Sequence, residues 1–182
     1  LIAAFFYHPK VLSVIAVYLA INFAYTLKLK HQPVVDIFIL AFGFVLRVYA
    51  GAVALSVPLS SWMFITTLCL ALYLASVKRQ QELINSGTKS RVVLHYYSEK
   101  LLDKYIEMSS TGTLLFYSLF VMTSRPKMII TIPIVLFGLF RYWYITDSKQ
   151  CGESPTDALY ADLPLALTIL TWVGVSIGSL WP

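Results

Sequence analysis

Charged residues are scarce in this sequence. Only 13% of its 182 residues are Asp, Glu, Lys or Arg, whereas 58% are apolar. An ordinary soluble domain carries roughly 25% charged residues. Intrinsic disorder is excluded, because disordered chains combine low hydrophobicity with high charge. The mean hydropathy of +0.73 therefore indicates an integral membrane protein.

Cysteine is also scarce, and the familiar catalytic motifs are missing. Cys69 lies in an apolar run and Cys151 in a polar stretch, which excludes a disulfide framework and a cysteine zinc site. There is no glycine-rich phosphate loop and no nucleophile elbow. The chain begins with apolar residues that lack Met and a basic segment, so they do not form a signal peptide. We expect residues 1–182 to be a single transmembrane domain from the C-terminal part of a longer protein.

Long apolar runs are abundant, and six of them approach the roughly 20 residues that a spanning helix needs. They are Val11–Leu27, Val34–Val57, Leu59–Val77, Ile106–Thr123, Met128–Thr146 and Leu163–Trp181. A membrane β-barrel needs alternating segments, whereas these runs are continuous. The predicted fold is therefore all-α, a polytopic transmembrane helical bundle.

Basic residues are distributed unevenly between the two ends of the predicted bundle. One end carries Lys28, Lys30, Lys78, Arg79, Lys89, Arg91, Lys100, Lys104 and Lys149, and the other carries Lys10, Arg125 and Lys127. The positive-inside rule predicts that the end with nine basic residues faces the cytoplasm. This asymmetry accounts for the pI of about 9.2, and no nucleic-acid partner is expected.

Two arginines lie inside predicted spans. An Arg at the centre of a span costs about 2.5–3.5 kcal/mol, so it normally faces the protein interior. Arg47 shares a helix face with Asp36, Gly43 and Gly51, and this face is predicted to point into the bundle. Arg47 either has an internal partner such as Asp36 or lines a cavity for an anionic ligand. Arg141 either extends to the lipid headgroups or binds a ligand.

The third span ends in a basic run that contains one carboxylate. Glu82 lies one helical turn from both Lys78 and Arg79. The run is either a membrane anchor with a surface ion pair or a basic surface for a metal-bound phosphate. The stretch 78–105 is predicted to be a cytoplasmic loop. Its residues 88–105 have the pattern of an amphipathic helix, either a lid or an interfacial helix.

Two further segments have an ordinary and a functional interpretation. Tyr25, Lys28 and Lys30 end the first span, where aromatic and basic residues commonly anchor a helix at the interface. The loop Asp147–Asp162 carries four acidic residues, among them Asp157. It is either a solvated loop or a site for a divalent cation, which prefers oxygen ligands.

Taken in order, these segments resemble the UbiA-type polyprenyl transferase family. The resemblance covers nearly the whole chain and consists of short motifs. They are Ala24-Tyr25 to Lys30-His31, Val35-Asp36-Ile37, Leu46-Arg47 with Ala50–Val53, Lys78–Leu83, Leu139–Tyr142, and Gly152-Glu153 with Asp157. Within the family the chain is similar to the transferases that move a phosphoribosyl group.

The resemblance implies a nine-helix fold, of which the six spans match the last six. The first aspartate-rich motif of the family is absent from this chain. The second is Lys78–Glu82 here, with one carboxylate instead of two. This departure disfavours an ordinary prenyl transferase and favours a donor whose phosphates are bound by cations. The 182-residue chain alone is expected to be inactive.

The implied enzyme is a Mg²⁺-dependent transferase of the bacterial inner membrane, with its active site on the cytoplasmic side. It moves 5-phosphoribosyl from phosphoribosyl pyrophosphate to a polyprenyl phosphate such as decaprenyl phosphate, for cell-wall or lipid-linked sugar synthesis. Homo-oligomer formation is left open. The residues to which the resemblance assigns roles are Lys78, Arg79 and Glu82 in catalysis, Tyr25, Lys28, Lys30, Asp36, Arg47 and Arg141 in substrate binding, and Glu82 and Asp157 as metal ligands.

Two alternatives stay open from the sequence. The first is a UbiA-type prenyltransferase that attaches a polyprenyl group to an aromatic or other polar acceptor. The second is a membrane transporter or lipid-binding subunit without enzymatic activity. Transporters often contain internal repeats with matching broken helices, and no convincing repeat is found here.

Overall fold

The computed structural model describes residues 9–86, 91–149 and 162–180, and these form six long helices. They are α1 (Pro9–Leu27), α2 (Val35–Ala54), α3 (Ser61–Ser86), α4 (Glu99–Ser124), α5 (Thr131–Lys149) and α6 (Leu163–Leu180). Short 3₁₀ turns connect some of them, at Leu29–His31, Val92–Tyr96 and Pro126–Met128. Over the described ranges there is no strand, which confirms the all-α fold class.

Each of the six predicted spans corresponds to one of these helices, but two helices extend beyond the apolar runs. Helix α3 continues past Val77 to Ser86, and α4 begins at Glu99, well before Ile106. The prediction of a separate amphipathic helix over 88–105 is wrong for the described residues. Residues 92–96 form a 3₁₀ turn, and residues from Glu99 onward belong to α4.

The N-terminus of α4 shows why this segment folds differently from the prediction. The Ser98 hydroxyl accepts a hydrogen bond from the backbone N–H of Leu101 at 3.3 Å. Ser at this position satisfies a backbone donor that the helix itself leaves unpaired. The amphipathic pattern therefore belongs to the first turns of a long helix.

Apolar side chains cover much of the outer surface, as a lipid-facing bundle requires. Helices α2 and α3 are each long and apolar enough to cross a membrane, and shorter apolar helical stretches lie in α1 and α6. Phe23, Leu55 and Leu170 each expose more than 60% of their surface. In water such exposure would be unfavourable, whereas lipid tails are as apolar as these side chains.

Helix α3 is the central element of the fold. It packs against both α2 and α4. Gly112 on α4 permits close packing, because a Cβ there would lie 3.1 Å from the Cys69 sulfur on α3. One apolar core joins α3 to α4, α5 and α6, and another joins α3 to α2 and the Val92–Tyr96 turn.

A buried hydrogen-bond network connects the last three helices at the end opposite to Lys78. The Trp172 indole N–H donates to the Tyr117 hydroxyl at 2.8 Å. The hydroxyls of Tyr117 and Thr131 lie 2.6 Å apart, and the Thr131 hydroxyl donates to the Met128 carbonyl at 2.6 Å. The network therefore links side chains of α4, α5 and α6.

Removing the Tyr117 hydroxyl should destabilise the bundle. Tyr117→Phe leaves the Trp172 N–H without its acceptor, and interhelical hydrogen bonds in membrane proteins contribute about 1 kcal/mol. We expect a lower unfolding free energy by about that amount, measured by denaturation in detergent micelles. The control is Tyr49→Phe, because Tyr49 is exposed and its hydroxyl has no bonding partner among the described residues. Equal stability of the two variants would contradict the proposed contribution.

Candidate functional site

Arg79 is fully buried and lies at the centre of a cluster of polar side chains. Its Nε donates to Asp36 Oδ2 at 2.6 Å, and its Nη1 donates to Glu82 Oε2 at 2.5 Å. Its Nη2 donates to the Tyr25 hydroxyl at 3.2 Å. These contacts join α1, α2 and α3, because Tyr25, Asp36 and Arg79 each come from a different helix.

The segment 91–97 makes further contacts with this cluster. Arg91 Nε lies 3.4 Å from Glu82 Oε2, and Arg91 Nη1 donates to the Tyr25 hydroxyl at 3.2 Å. The Tyr97 hydroxyl donates to Asp36 Oδ1 at 2.7 Å. We call Tyr25, Asp36, Arg79, Glu82, Arg91 and Tyr97 the Arg79 network.

Tyr97 also holds the start of α2. Its hydroxyl accepts the backbone N–H of Val34 at 2.6 Å. Val34 has a φ of 68°, a left-handed conformation that is strained for a β-branched residue. Burial raises the pKa of the Tyr97 phenol, and its hydrogen bond to Asp36 raises it further. The phenol therefore stays protonated and donates to the carboxylate.

The structure places Arg79 differently from the sequence-based expectation. The run Lys78–Glu82 was interpreted either as a membrane anchor with a surface ion pair or as a basic surface for a metal-bound phosphate. The Arg79 side chain is instead 1% exposed and paired with two carboxylates. In the described part of the chain, the Arg79 guanidinium is therefore closed to a soluble phosphate. Arg79 holds the helix ends in position, and Lys78 is left as the accessible cation of the pair.

Arg47 does not pair with Asp36. Its side chain is exposed on the surface of the described helices and does not point between them. Its Nη2 donates to the Tyr18 hydroxyl at 2.6 Å, and its guanidinium lies over the rings of Tyr18 and Phe44. The shared helix face suggested a pair between residues of α2, but the buried partner of Asp36 comes from α3. Arg47 therefore remains an exposed cation held between aromatic rings.

Arg141 forms an ion pair with Asp162, which neither interpretation of Arg141 from the sequence predicted. Its Nε and Nη2 donate to the two oxygens of Asp162, at 3.0 and 2.8 Å. Asp162 Oδ1 also accepts the backbone N–H of Leu165, so this carboxylate caps the first turn of α6. The sequence contained a signal for this capping role. Asp162 stands just before an apolar run with Pro164 near its start, a pattern that is typical of a helix N-terminus.

Three lysines lie at the end of the bundle where the Arg79 network, including Arg91, is found. Lys28 is exposed, and Lys30 and Lys78 are half-buried. None of the three lysines forms an ion pair with a described residue. The turn Leu29–His31 contacts the turn Val92–Tyr96, which brings Lys28 and Lys30 to the same end as Arg91. We call Lys28, Lys30, Lys78 and Arg91 the basic surface.

The described residues do not by themselves form a magnesium site. Among them there is no group of three His, Cys, Asp or Glu side chains close enough to hold a metal ion. Asp36 accepts hydrogen bonds on both oxygens, and Glu82 contacts two arginines through one oxygen. Asp157, the other predicted ligand, lies outside the described residues. The Mg²⁺ requirement stays a prediction.

Three relatives with similar sequences carry the same name. The chain is 32% identical to a decaprenyl-phosphate phosphoribosyltransferase of Mycolicibacterium smegmatis over 91% of its own length and 57% of the relative. It is 30% identical to those of Mycobacterium tuberculosis and Corynebacterium glutamicum, over 91% and 88% of the chain and 57% and 51% of the relatives. The chain thus spans about half the length of these relatives. No protein-family model matches it. The similarity supports assignment to the UbiA-type family.

Replacing Arg79 should affect the fold even without substrate. Arg79→Lys keeps the charge, but a single ammonium cannot reproduce the fork that reaches Asp36, Glu82 and Tyr25 together. We expect a loss of about 2 kcal/mol in unfolding free energy, the order of one lost charge-assisted hydrogen bond. Denaturation of the substrate-free protein measures it. Arg125→Lys is the matched control, because Arg125 is exposed at the end of α4. Unchanged stability of Arg79→Lys would show that Arg79 has no positioning role.

Proposed function

We propose that this chain, a relative of the UbiA-type polyprenyl transferases, forms part of an enzyme that transfers a phosphoribosyl group. The donor is phosphoribosyl pyrophosphate, the acceptor is a polyprenyl phosphate, and pyrophosphate is released. The main support is the sequence similarity to decaprenyl-phosphate phosphoribosyltransferases along nine-tenths of the chain. The basic surface around the Arg79 network supports substrates that both carry phosphates.

The proposed reaction is a substitution at the anomeric carbon of the ribose. A phosphate oxygen of the lipid attacks this carbon and forms the new C–O bond. The bond between the carbon and the pyrophosphate oxygen breaks, and the pyrophosphate leaves with the bonding electron pair. Negative charge accumulates on the leaving group, so cations fixed beside it lower the barrier.

The basic surface is proposed to supply these cations. Lys78 is half-buried and has no ion-pair partner among the described residues, and it follows directly on the apolar part of α3. We assign it to the donor's phosphates. Lys28 and Lys30 lie after the end of α1, at the level where a lipid headgroup enters, and we assign them to the phosphate of the acceptor.

The arginines with carboxylate partners are proposed to act as positioning residues. Arg79 holds Glu82 and Tyr25 next to Lys78, and Arg141 holds the start of α6 through Asp162. Arg91 pairs more loosely, since its Nε lies 3.4 Å from Glu82 and its side chain is 38% exposed. Arg91 therefore remains available to an incoming phosphate. A Mg²⁺ requirement, which the family resemblance implies, needs ligands beyond those of the described residues.

The setting of the reaction is also a proposal. The protein is a membrane protein, and we place it in the bacterial inner membrane with the basic surface on the cytoplasmic side. The excess of basic residues at that end supports this orientation. Phosphoribosyl pyrophosphate is a soluble, strongly charged molecule, so it reaches the site from the aqueous side where these cations lie.

Lys78→Gln should reduce transfer without affecting the fold. The variant removes a positive charge next to the proposed donor site and keeps most of the side-chain length. We expect at least a tenfold loss of kcat/KM, equal to about 1.4 kcal/mol of transition-state stabilisation. The measurement is incorporation of labelled phosphoribosyl pyrophosphate into polyprenyl phosphate by the protein in its full length.

Lys127→Gln is the control, because Lys127 is exposed at the opposite end of the bundle. It should retain activity within about twofold. Full activity of Lys78→Gln would contradict the role of this lysine. Incorporation of a labelled prenyl diphosphate into an aromatic acceptor, with none from phosphoribosyl pyrophosphate, would overturn the proposed reaction.

A further inference from the structure

Arg47 carries its charge deep inside an apolar helix. Helix α2 is long and apolar enough to cross a membrane. Arg47 lies about 18 Å along it from Val35 and about 10 Å from Ala54, at about 1.5 Å of rise per residue. The residue is exposed, and it forms no ion pair with any described residue. Its guanidinium therefore lies at a depth where a lipid bilayer consists of hydrocarbon.

The side chain of Arg47 runs towards the middle of the membrane and away from the nearer end of α2. The guanidinium lies 5.3 Å from the ring centroid of Phe44, which is one turn closer to the N-terminus of the helix. Its Nη2 donates to the hydroxyl of Tyr18, the middle residue of α1. A 20-residue helix is about as long as the hydrocarbon core is thick, so the headgroups lie near its ends. Arg47 therefore does not extend to a lipid phosphate.

The contacts of Arg47 leave its charge uncompensated. The Tyr18 hydroxyl and the rings of Tyr18 and Phe44 are all neutral groups. The other N–H donors of the guanidinium have no hydrogen-bond partner among the described residues. Charged side chains at this depth are normally paired inside a bundle. A carboxylate fits this group best, because it accepts two hydrogen bonds from the planar fork and cancels the charge.

The surface around Arg47 is open to another helix. Gly51 lies one turn further along the same face, and a Cβ at that position would contact nothing within 4 Å. Small residues allow the backbones of two membrane helices to approach closely. Phe44 and Val48 beside Arg47 are exposed and apolar. This chain spans 57% of the length of the Mycolicibacterium smegmatis relative, so the relative contains further residues that can supply such a helix.

We propose that Arg47 pairs with an Asp or Glu on a further transmembrane helix of the same protein, outside residues 1–182. This helix packs over the surface formed by Phe44, Arg47, Val48 and Gly51, and its carboxylate accepts hydrogen bonds from the donors that Tyr18 leaves free. The ion pair fixes the added helix against α1 and α2. The pairing does not depend on phosphoribosyl transfer, so it is tested by stability and not by activity.

The first test compares Arg47→Met with Val48→Met in the full-length protein in detergent. If a carboxylate faces Arg47, Arg47→Met leaves that acid buried without a partner, and we expect the melting temperature to fall by at least about 5 °C. Val48→Met exchanges one exposed apolar side chain for another and should change it by less than about 1 °C. A higher or unchanged melting temperature of Arg47→Met would overturn the proposal, because a cation that faces lipid is unfavourable and its removal does not destabilise the protein.

The second test identifies the acid. Each Asp or Glu in an apolar run outside residues 1–182 is replaced by Asn or Gln, alone and together with Arg47→Met. For the partner, the double variant should regain at least about half of the lost melting temperature, because neither charge is then left unpaired. If Arg47→Met does not fold, recovery of folded protein in one double variant gives the same result.

Three outcomes of these measurements would contradict the pairing within one polypeptide. The first is that no acidic replacement compensates for Arg47→Met. The second is that light scattering shows an oligomer of the unmodified protein that dissociates in Arg47→Met, which would assign the acid to a second copy. The third is that phosphatidylglycerol stabilises the unmodified protein but not Arg47→Met, which would assign the partner to a lipid phosphate.

Discussion

The buried pairing of Asp36 with Arg79 is the interaction on which this end of the bundle depends. Both side chains are withdrawn from solvent, and a buried charge without a partner is strongly unfavourable. The pair therefore fixes α2 against α3. Tyr25, Glu82 and Tyr97 are oriented around it by their hydrogen bonds, so the helix ends and the segment 91–97 adopt one arrangement.

The basic residues fall into two groups, those paired with buried carboxylates and those without an ion-pair partner among the described residues. Arg79 and Arg141 are engaged by carboxylates and stabilise the positions of helices, whereas Lys28, Lys30 and Lys78 lack ion-pair partners among the described residues. Arginine suits the first task because its planar fork binds a carboxylate through two hydrogen bonds. Lysine, a compact charge on a flexible chain, can bind a phosphate as a point charge. The proposed phosphate contacts follow from this division.

The helices were predictable from the sequence because lipid imposes a simple rule. Only continuous apolar runs of about 20 residues span a bilayer as helices, and all six runs correspond to helices. The rule sets no limit on how far a helix continues into water. The extension of α3 to Ser86 and the start of α4 at Glu99 depend on polar residues, and the Ser98 cap was a local signal that was available.

The pairings within the site were not predictable from helical periodicity. Periodicity relates residues on one helix, so it grouped Asp36 with Arg47 on α2. The actual partner of Asp36 is 43 residues away, on another helix. The same holds for Arg141 and Asp162, which face each other only because α5 and α6 pack together. The residue types at the site were identified from the sequence, and their partners required the tertiary structure.

A double-mutant cycle between Asp36 and Arg79 tests the central claim most directly. The unfolding free energies of Asp36→Asn, Arg79→Gln and the double variant are compared with that of the unmodified protein. If the two side chains form the pair that fixes α2 against α3, the double variant is less destabilised than the sum of the single variants, by at least about 1 kcal/mol. Additivity within about 0.3 kcal/mol would contradict the account, because it would mean that the two residues stabilise the protein independently.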